Sequence, residues 1–141
     1  MNSCYREEQR DKGPYPYVAN VEQMAMENQY FRTAAWTGYH LQMTLMCIPP
    51  CGEIGLEIHE DTDQFIRVEC GRAAVRFGRC GNRPEYQQNL SEGDTVFVPA
   101  GTWHNVVNVG RNPLKLSSIY APPEHPRGTV HYTKADAERE H

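Results

Sequence analysis

The sequence predicts an all-β fold, a sandwich or barrel of short strands. Ten prolines and eleven glycines cut the 141 residues into short stretches. Those stretches alternate in polarity with period two, and helix-starting signals occur only near the two ends. In residues 40–47, Leu41, Met43, Leu45 and Cys47 share one face. In residues 64–69, Ile66 and Val68 share a face with Gln64, while Phe65, Arg67 and Glu69 point the other way. Ala73, Val75 and Phe77 alternate with Arg72, Ala74 and Arg76, and residues 96–98, 104–107 and 114–120 supply further strands. Asn20 with Gln23 forms a capping box that opens a short helix running to about Asn28, and Thr133 with Asp136 opens another in the tail. Residues 78–92 are polar, contain Pro84 and read as a loop. Residues 1–19, with Gly13, Pro14 and Pro16 among polar side chains, read as a mobile arm or a strap on a neighbour.

Composition narrows the function. Lys plus Arg number 14 against 18 Asp plus Glu, a net charge of −4, so no basic excess exists to neutralise nucleic-acid phosphates or an anionic membrane. Apolar residues are 39% and charged residues 23%, a globular balance. The apolar runs, such as residues 45–48, are far shorter than the roughly twenty residues a membrane span needs. The charged N-terminus has no apolar segment of the secretory type, and the expected location is cytoplasmic. The five cysteines lack zinc or C-x-x-C spacing and are expected to be reduced thiols.

The most specific signal is residues 93–108, which read G-x5-P-x-G-x2-H-x3-N. Pro99 and Gly101 suit a tight turn, and His104 follows near the start of the returning strand. Thr102, His104 and Val106 share a face that can aim the imidazole into a lumen. These positions resemble the second conserved motif of the cupin superfamily. The first motif of that family, aligned backwards from Gly71, places Gln64 at the family's glutamate, His59 at its second histidine and Glu57 at its first histidine. The chain therefore reads E-x-H-x4-Q-x6-G. It departs from the family at two of four metal positions, and its opening glycine is either Gly52 or Gly55.

The resemblance implies a small single-domain cupin, a double-stranded β-helix or jelly roll with short terminal helices. An N-terminal arm and helix over 1–29 would precede a barrel over 30–121 and a C-terminal segment over 122–141. It implies one divalent transition metal (Zn, Fe, Mn or Ni) held by Glu57, His59, Gln64 and His104. The usual three histidines and one glutamate carry one formal negative charge, and this set carries the same. Gln64 reads equally well as a hydrogen-bond partner that orients a ligand.

The segment 120–126 is a Pro-rich exit from the last strand, similar to tails that fold back over the barrel in small cupins. Glu124, His125 and His131 are the acid–base candidates if it does so; otherwise it is a surface loop. Trp36 and Trp103 read as pocket-mouth or packing residues, and His40 as a strand residue. The leading functional expectation is a metal-dependent enzyme on a small sugar-like or carbonyl substrate, of the mannose-6-phosphate-isomerase-like kind. Arg67, Arg72 and Arg76, however, alternate outward and make a poor phosphate clamp. The alternatives are an iron- or nickel-dependent dioxygenase and a non-catalytic small-molecule binding or sensing module. Apolar outward residues such as Leu56, Ile58 and Phe65 predict a homodimer.

Overall fold

In the computed structural model, which describes residues 11–79 and 85–139, the strands form two antiparallel sheets with a short helix near each end. Helix α1 (Val21–Glu27) precedes β1 (Arg32–Thr37), β2 (Gln42–Ile48), β3 (Asp63–Cys70), β4 (Ala73–Gly78) and β5 (Tyr86–Leu90). Then come β6 (Thr95–Val98), β7 (Trp103–Asn108), β8 (Leu114–Ala121), β9 (Val130–His131) and α2 (Lys134–Arg139). The larger sheet runs β6-β3-β8-β2-β1-β9 and the smaller β5-β4-β7. Both helices start where the sequence places them. Asn20 Oδ1 accepts from the Gln23 amide at 3.0 Å, and Thr133 and Asp136 cap each other reciprocally, Asp136 Oδ2 accepting at 3.2 Å and Thr133 Oγ1 at 3.3 Å. Neither helix is long or apolar enough to cross a membrane.

The two sheets enclose one core. Met46, Ile48, Ile66, Val68, Val75, Val106, Leu114 and Leu116 fill it and are fully buried. Cross-strand register then stacks a polar tier on this apolar one. Gln42 pairs with Tyr120 and Tyr120 with Gln64, while Thr44 pairs with Ser118 and Ser118 with Ile66. Side chains directly opposite one another share a face, so polar groups collect at one end of the lumen.

The apolar stripe of β2 is not the lumen face. Met43 and Leu45 lie outside, in a second cluster with Ala25, Ala35, Val21 and Met24. Helix α1 covers that face, so β2 is buried on both sides, and Gln42, Thr44, Met46 and Ile48 point inward. His40 lies exposed in the turn before β2 rather than in the strand. The expected loop 78–92 contains β5, which zips onto β4 from Ala73↔Leu90 to Phe77↔Tyr86. Residues 1–10 of the expected arm, Cys4, Cys80 and His141 fall outside the described residues. Residues 11–17 lie against the chain's own β1: the Lys12 amide donates to Ala35 O at 2.9 Å and Trp36 Nε1 to Tyr15 O at 2.7 Å. Cys47, Cys51 and Cys70 are free thiols.

Candidate metal centre

The segment 52–59 has no regular strand pairing, yet hydrogen bonds fix it along the free edge of β7. Gly52 O accepts from the Asn108 amide, and the Ile54 amide donates to Val106 O. Glu57 and His104 exchange both backbone bonds at 2.9 Å, and the Gly101 amide donates to His59 O at 2.8 Å. Glycines make this path possible. Gly55 sits at φ +104 with its amide donating to Asn105 Oδ1 at 2.9 Å, and Gly101 takes φ +79 in the β6–β7 turn. A side chain would strain either position. In place of a regular strand the segment makes two isolated bridges, Glu53↔Val107 and Glu57↔His104, and the second sets Glu57 directly opposite His104.

Three donors converge as a result. Glu57 Oε1 lies 3.3 Å from His59 Nε2 and 3.5 Å from His104 Nε2. One ligand atom from each of Glu57, His59 and His104 lies within 4.8 Å of the others. Donors about 2.1 Å from a shared tetrahedral metal stand roughly 3.4 Å apart, which matches the two separations from Glu57. His104 Nδ1–H donates to Thr102 O at 3.0 Å, so Nε2 keeps its lone pair. That nitrogen is buried and has no hydrogen-bond partner. Lone pairs and a carboxylate facing one another repel unless a proton or a cation sits between them. The group of residues therefore fits a metal ion.

The electrostatics agree. Burial pushes the Glu57 carboxyl up, but the two imidazoles beside it, His104 and His59, outweigh it and hold the group well below the usual carboxylate range. His59 loses by burial, yet Glu57 and Glu124 win and raise it above the ordinary imidazole value.

Glu124 enters from the tail, which folds back over the barrel mouth. Its Oε1 stands 3.1 Å from His59 Nδ1, and its Oε2 accepts from Thr62 Oγ1 at 3.1 Å. The contact with His59 is an ion-pair approach without hydrogen-bond geometry, on the side of the ring opposite to Nε2, which faces Glu57. Gln42 pins the tail in place. Its Nε2 donates to Thr37 Oγ1 at 2.9 Å and to His125 O at 2.8 Å, and its Oε1 accepts from the amides of His125 at 3.0 Å and Glu124 at 3.3 Å. His125 lines the same cleft as Glu57 and His59. Burial, with the charge of Arg32, brings its imidazole down to about 3. His131 lies away from the donors on β9, where its Nδ1 faces Arg32 Nη1 at 3.2 Å.

Comparison with known proteins agrees with this geometry. A cupin-domain family model (Cupin_2) matches residues 44–120. The chain belongs to the cupin family. It is 53% identical to the uncharacterized protein YrkC of Bacillus subtilis (strain 168) over 91% of this chain and 69% of that protein. It is 39% identical to the uncharacterized protein L612 of Acanthamoeba polyphaga mimivirus over 81% of this chain and 70% of that one. The crystal structure of BH2720 from Bacillus halodurans superposes with a TM-score of 0.91 at 52% identity, covering 92% of this chain and 98% of the other.

Motif spacing places Glu57, His59 and His104 together in this cupin, as the structure does. Gln64 faces the lumen from β3, 3% exposed, with neither amide atom partnered. Gln42 and Arg32 escaped the sequence reading. Gln42 carried a signal, a polar residue at the head of a mostly apolar strand; Arg32 carried none.

Proposed function

We propose that this cupin is a metal-dependent enzyme acting on a small polar substrate. One divalent transition metal (zinc, iron(II), manganese or nickel) would be held by Glu57, His59 and His104, with Gln64 as a fourth donor. The observation that carries this reading is the approach of Glu57 Oε1 to two ring nitrogens, at 3.3 and 3.5 Å, beside a buried and unpartnered His104 Nε2. A bound ion there supplies Lewis acidity toward a carbonyl or hydroxyl oxygen. The chain's own residues do the rest: Glu124 stands against His59 Nδ1, Gln42 holds the tail over the mouth, and a cleft of about 520 Å³ leads to Glu57 and His59. The mannose-6-phosphate-isomerase-like form finds no phosphate clamp in Arg67, Arg72 and Arg76. Arg72 and Arg76 are exposed and the Arg67 side chain is 49% exposed, all outside the cleft.

A second reading, an iron- or nickel-dependent dioxygenase, is favoured by the composition of the cluster. Two histidines and one carboxylate make up a facial triad when Gln64 stays off the metal. Elemental analysis of protein purified without added metal, paired with oxygen uptake, separates the two. Stoichiometric zinc without oxygen consumption removes the dioxygenase, and no transition metal at all removes both. A ligand that raises the melting temperature and is recovered unchanged makes the protein a binding module instead.

A further inference from the structure

The cleft that reaches Glu57 and His59 contains a cation that has no carboxylate beside it among the described residues. Arg32 projects from β1 and lines the cleft, yet it is only 3% exposed. Its Nη1 meets His131 Nδ1 at 3.2 Å, and its guanidinium carbon lies 5.4 Å from the centre of the Phe31 ring. Nε is buried with no partner, and among the described residues no carboxylate lies within ion-pair distance of the guanidinium. A buried, unpaired charge is costly to fold. Such a charge is kept where something else neutralises it.

The neighbouring groups are polar as well. Tyr120 is fully buried. Neither Tyr120 OH, Thr44 Oγ1 nor Ser118 Oγ meets a partner at hydrogen-bond geometry. The Tyr120 ring packs edge-on against His59 at 5.5 Å and His125 at 5.2 Å, so these donors stand directly behind the cleft wall. At the rim, Lys134 is already occupied, 3.9 Å from both Glu53 and Glu138. The other charges lining the cleft are Glu57, Glu124 and Glu138. Among the described residues, Arg32 is therefore the buried cation of this site.

We propose that Arg32 anchors the carboxylate of a small substrate or ligand bound in this cleft, with the rest of the molecule turned toward Glu57, His59 and His104. A single guanidinium with one arm committed to His131 matches one negative charge and two acceptor oxygens, which favours a carboxylate over a phosphate dianion. The placement of the ligand's other end rests on the metal-site reading; the anchor itself does not.

The test uses sodium lactate as the carboxylate probe, lactamide as its neutral counterpart and inorganic phosphate as the competing anion. Each is titrated calorimetrically into the full chain, both metal-stripped and zinc-loaded, as wild type, Arg32→Met and Arg32→Lys. Lactate should bind wild type saturably and lactamide should not. Binding should weaken about 10–100-fold in Arg32→Met, the loss of a charge-assisted contact, and less in Arg32→Lys. Zinc affinity should be unchanged in both variants. Lactate binding equal in Arg32→Met and wild type, phosphate preferred over lactate, or no lactate binding at all overturns the assignment. If the metal reading alone is wrong, zinc fails to bind wild type, while metal-stripped wild type still binds lactate more tightly than metal-stripped Arg32→Met.

Discussion

Gln42→Met removes the clasp that fixes the tail while keeping side-chain volume, so its cost follows from the hydrogen bonds lost. Gln42 is fully buried and makes four contacts, three of them to the backbone of residues 124 and 125. Each is worth about 0.5–1.5 kcal/mol net, and a backbone group stranded without a partner costs about 1–3 kcal/mol. Detachment of the tail would let water reach the stranded groups and cap the loss, so about 3–5 kcal/mol is expected. That is a large share of the roughly 5–15 kcal/mol available to a domain. The tail also carries Glu124, 3.1 Å from His59 Nδ1. Metal affinity should therefore fall by about tenfold or more while Glu57, His59 and His104 are untouched. Urea unfolding of the metal-stripped protein reads the first effect, and zinc titration of the folded variant reads the second. A variant as stable as wild type would refute the clasp. A destabilised variant with wild-type zinc affinity would refute the coupling of the tail to His59.

Other consequences follow from the same geometry. His125 is held at about 3 when folded against 6.5 ordinarily, so between those values the unfolded chain takes a proton that the folded chain refuses. Stability should fall as pH drops from about 6.5 toward 3, by at most about 5 kcal/mol. His125→Leu should flatten that acid limb in denaturant melts, and limbs of equal slope would contradict it. His59 works oppositely, its contribution being present below about 6.5 and lost as pH rises through its raised value, so the comparison is made in a shared His59 background. Leu116→Ala, at a fully buried position between the sheets, should cost about 2–5 kcal/mol in urea unfolding, and a cost near zero would mean that the two sheets do not enclose it. We also propose the homodimer, on the outer face where Phe97, 73% exposed, packs 5.1 Å from Phe65. Light scattering should give two copies at micromolar concentration and one for Phe97→Asp; a monomeric wild type contradicts the proposal.

Strands were readable where one face was buried and the other was not. Ile66 and Val68 on β3, and Val75 on β4, are buried while Phe65, Arg67 and Arg76 are not, although Glu69 and Ala74 on the other face are buried too. On β2 both faces are covered, one by the core and one by α1, so the more apolar stripe was the wrong guide to the lumen. Strand β5, Tyr-Gln-Gln-Asn-Leu, is an edge strand with only Leu90 buried, held by its ladder rather than by an apolar face. β1 is interrupted by a register shift between Ala34 and Trp36, which breaks its period. The three clustered donors were legible because motif spacing encodes backbone bridges such as Glu57↔His104. Arg32 and Gln42 reach the site through sheet register, which couples residues far apart in sequence and leaves no local pattern.

The central claim is that Glu57, His59 and His104 share one cation. Its most direct test is the zinc-binding isotherm of the metal-stripped protein, measured for wild type, Glu57→Gln and His104→Ala with folding checked by circular dichroism. One ion per chain in wild type, and affinity lower by about 100-fold in each variant, is the predicted result. Equal affinity and stoichiometry in all three folded proteins would contradict it.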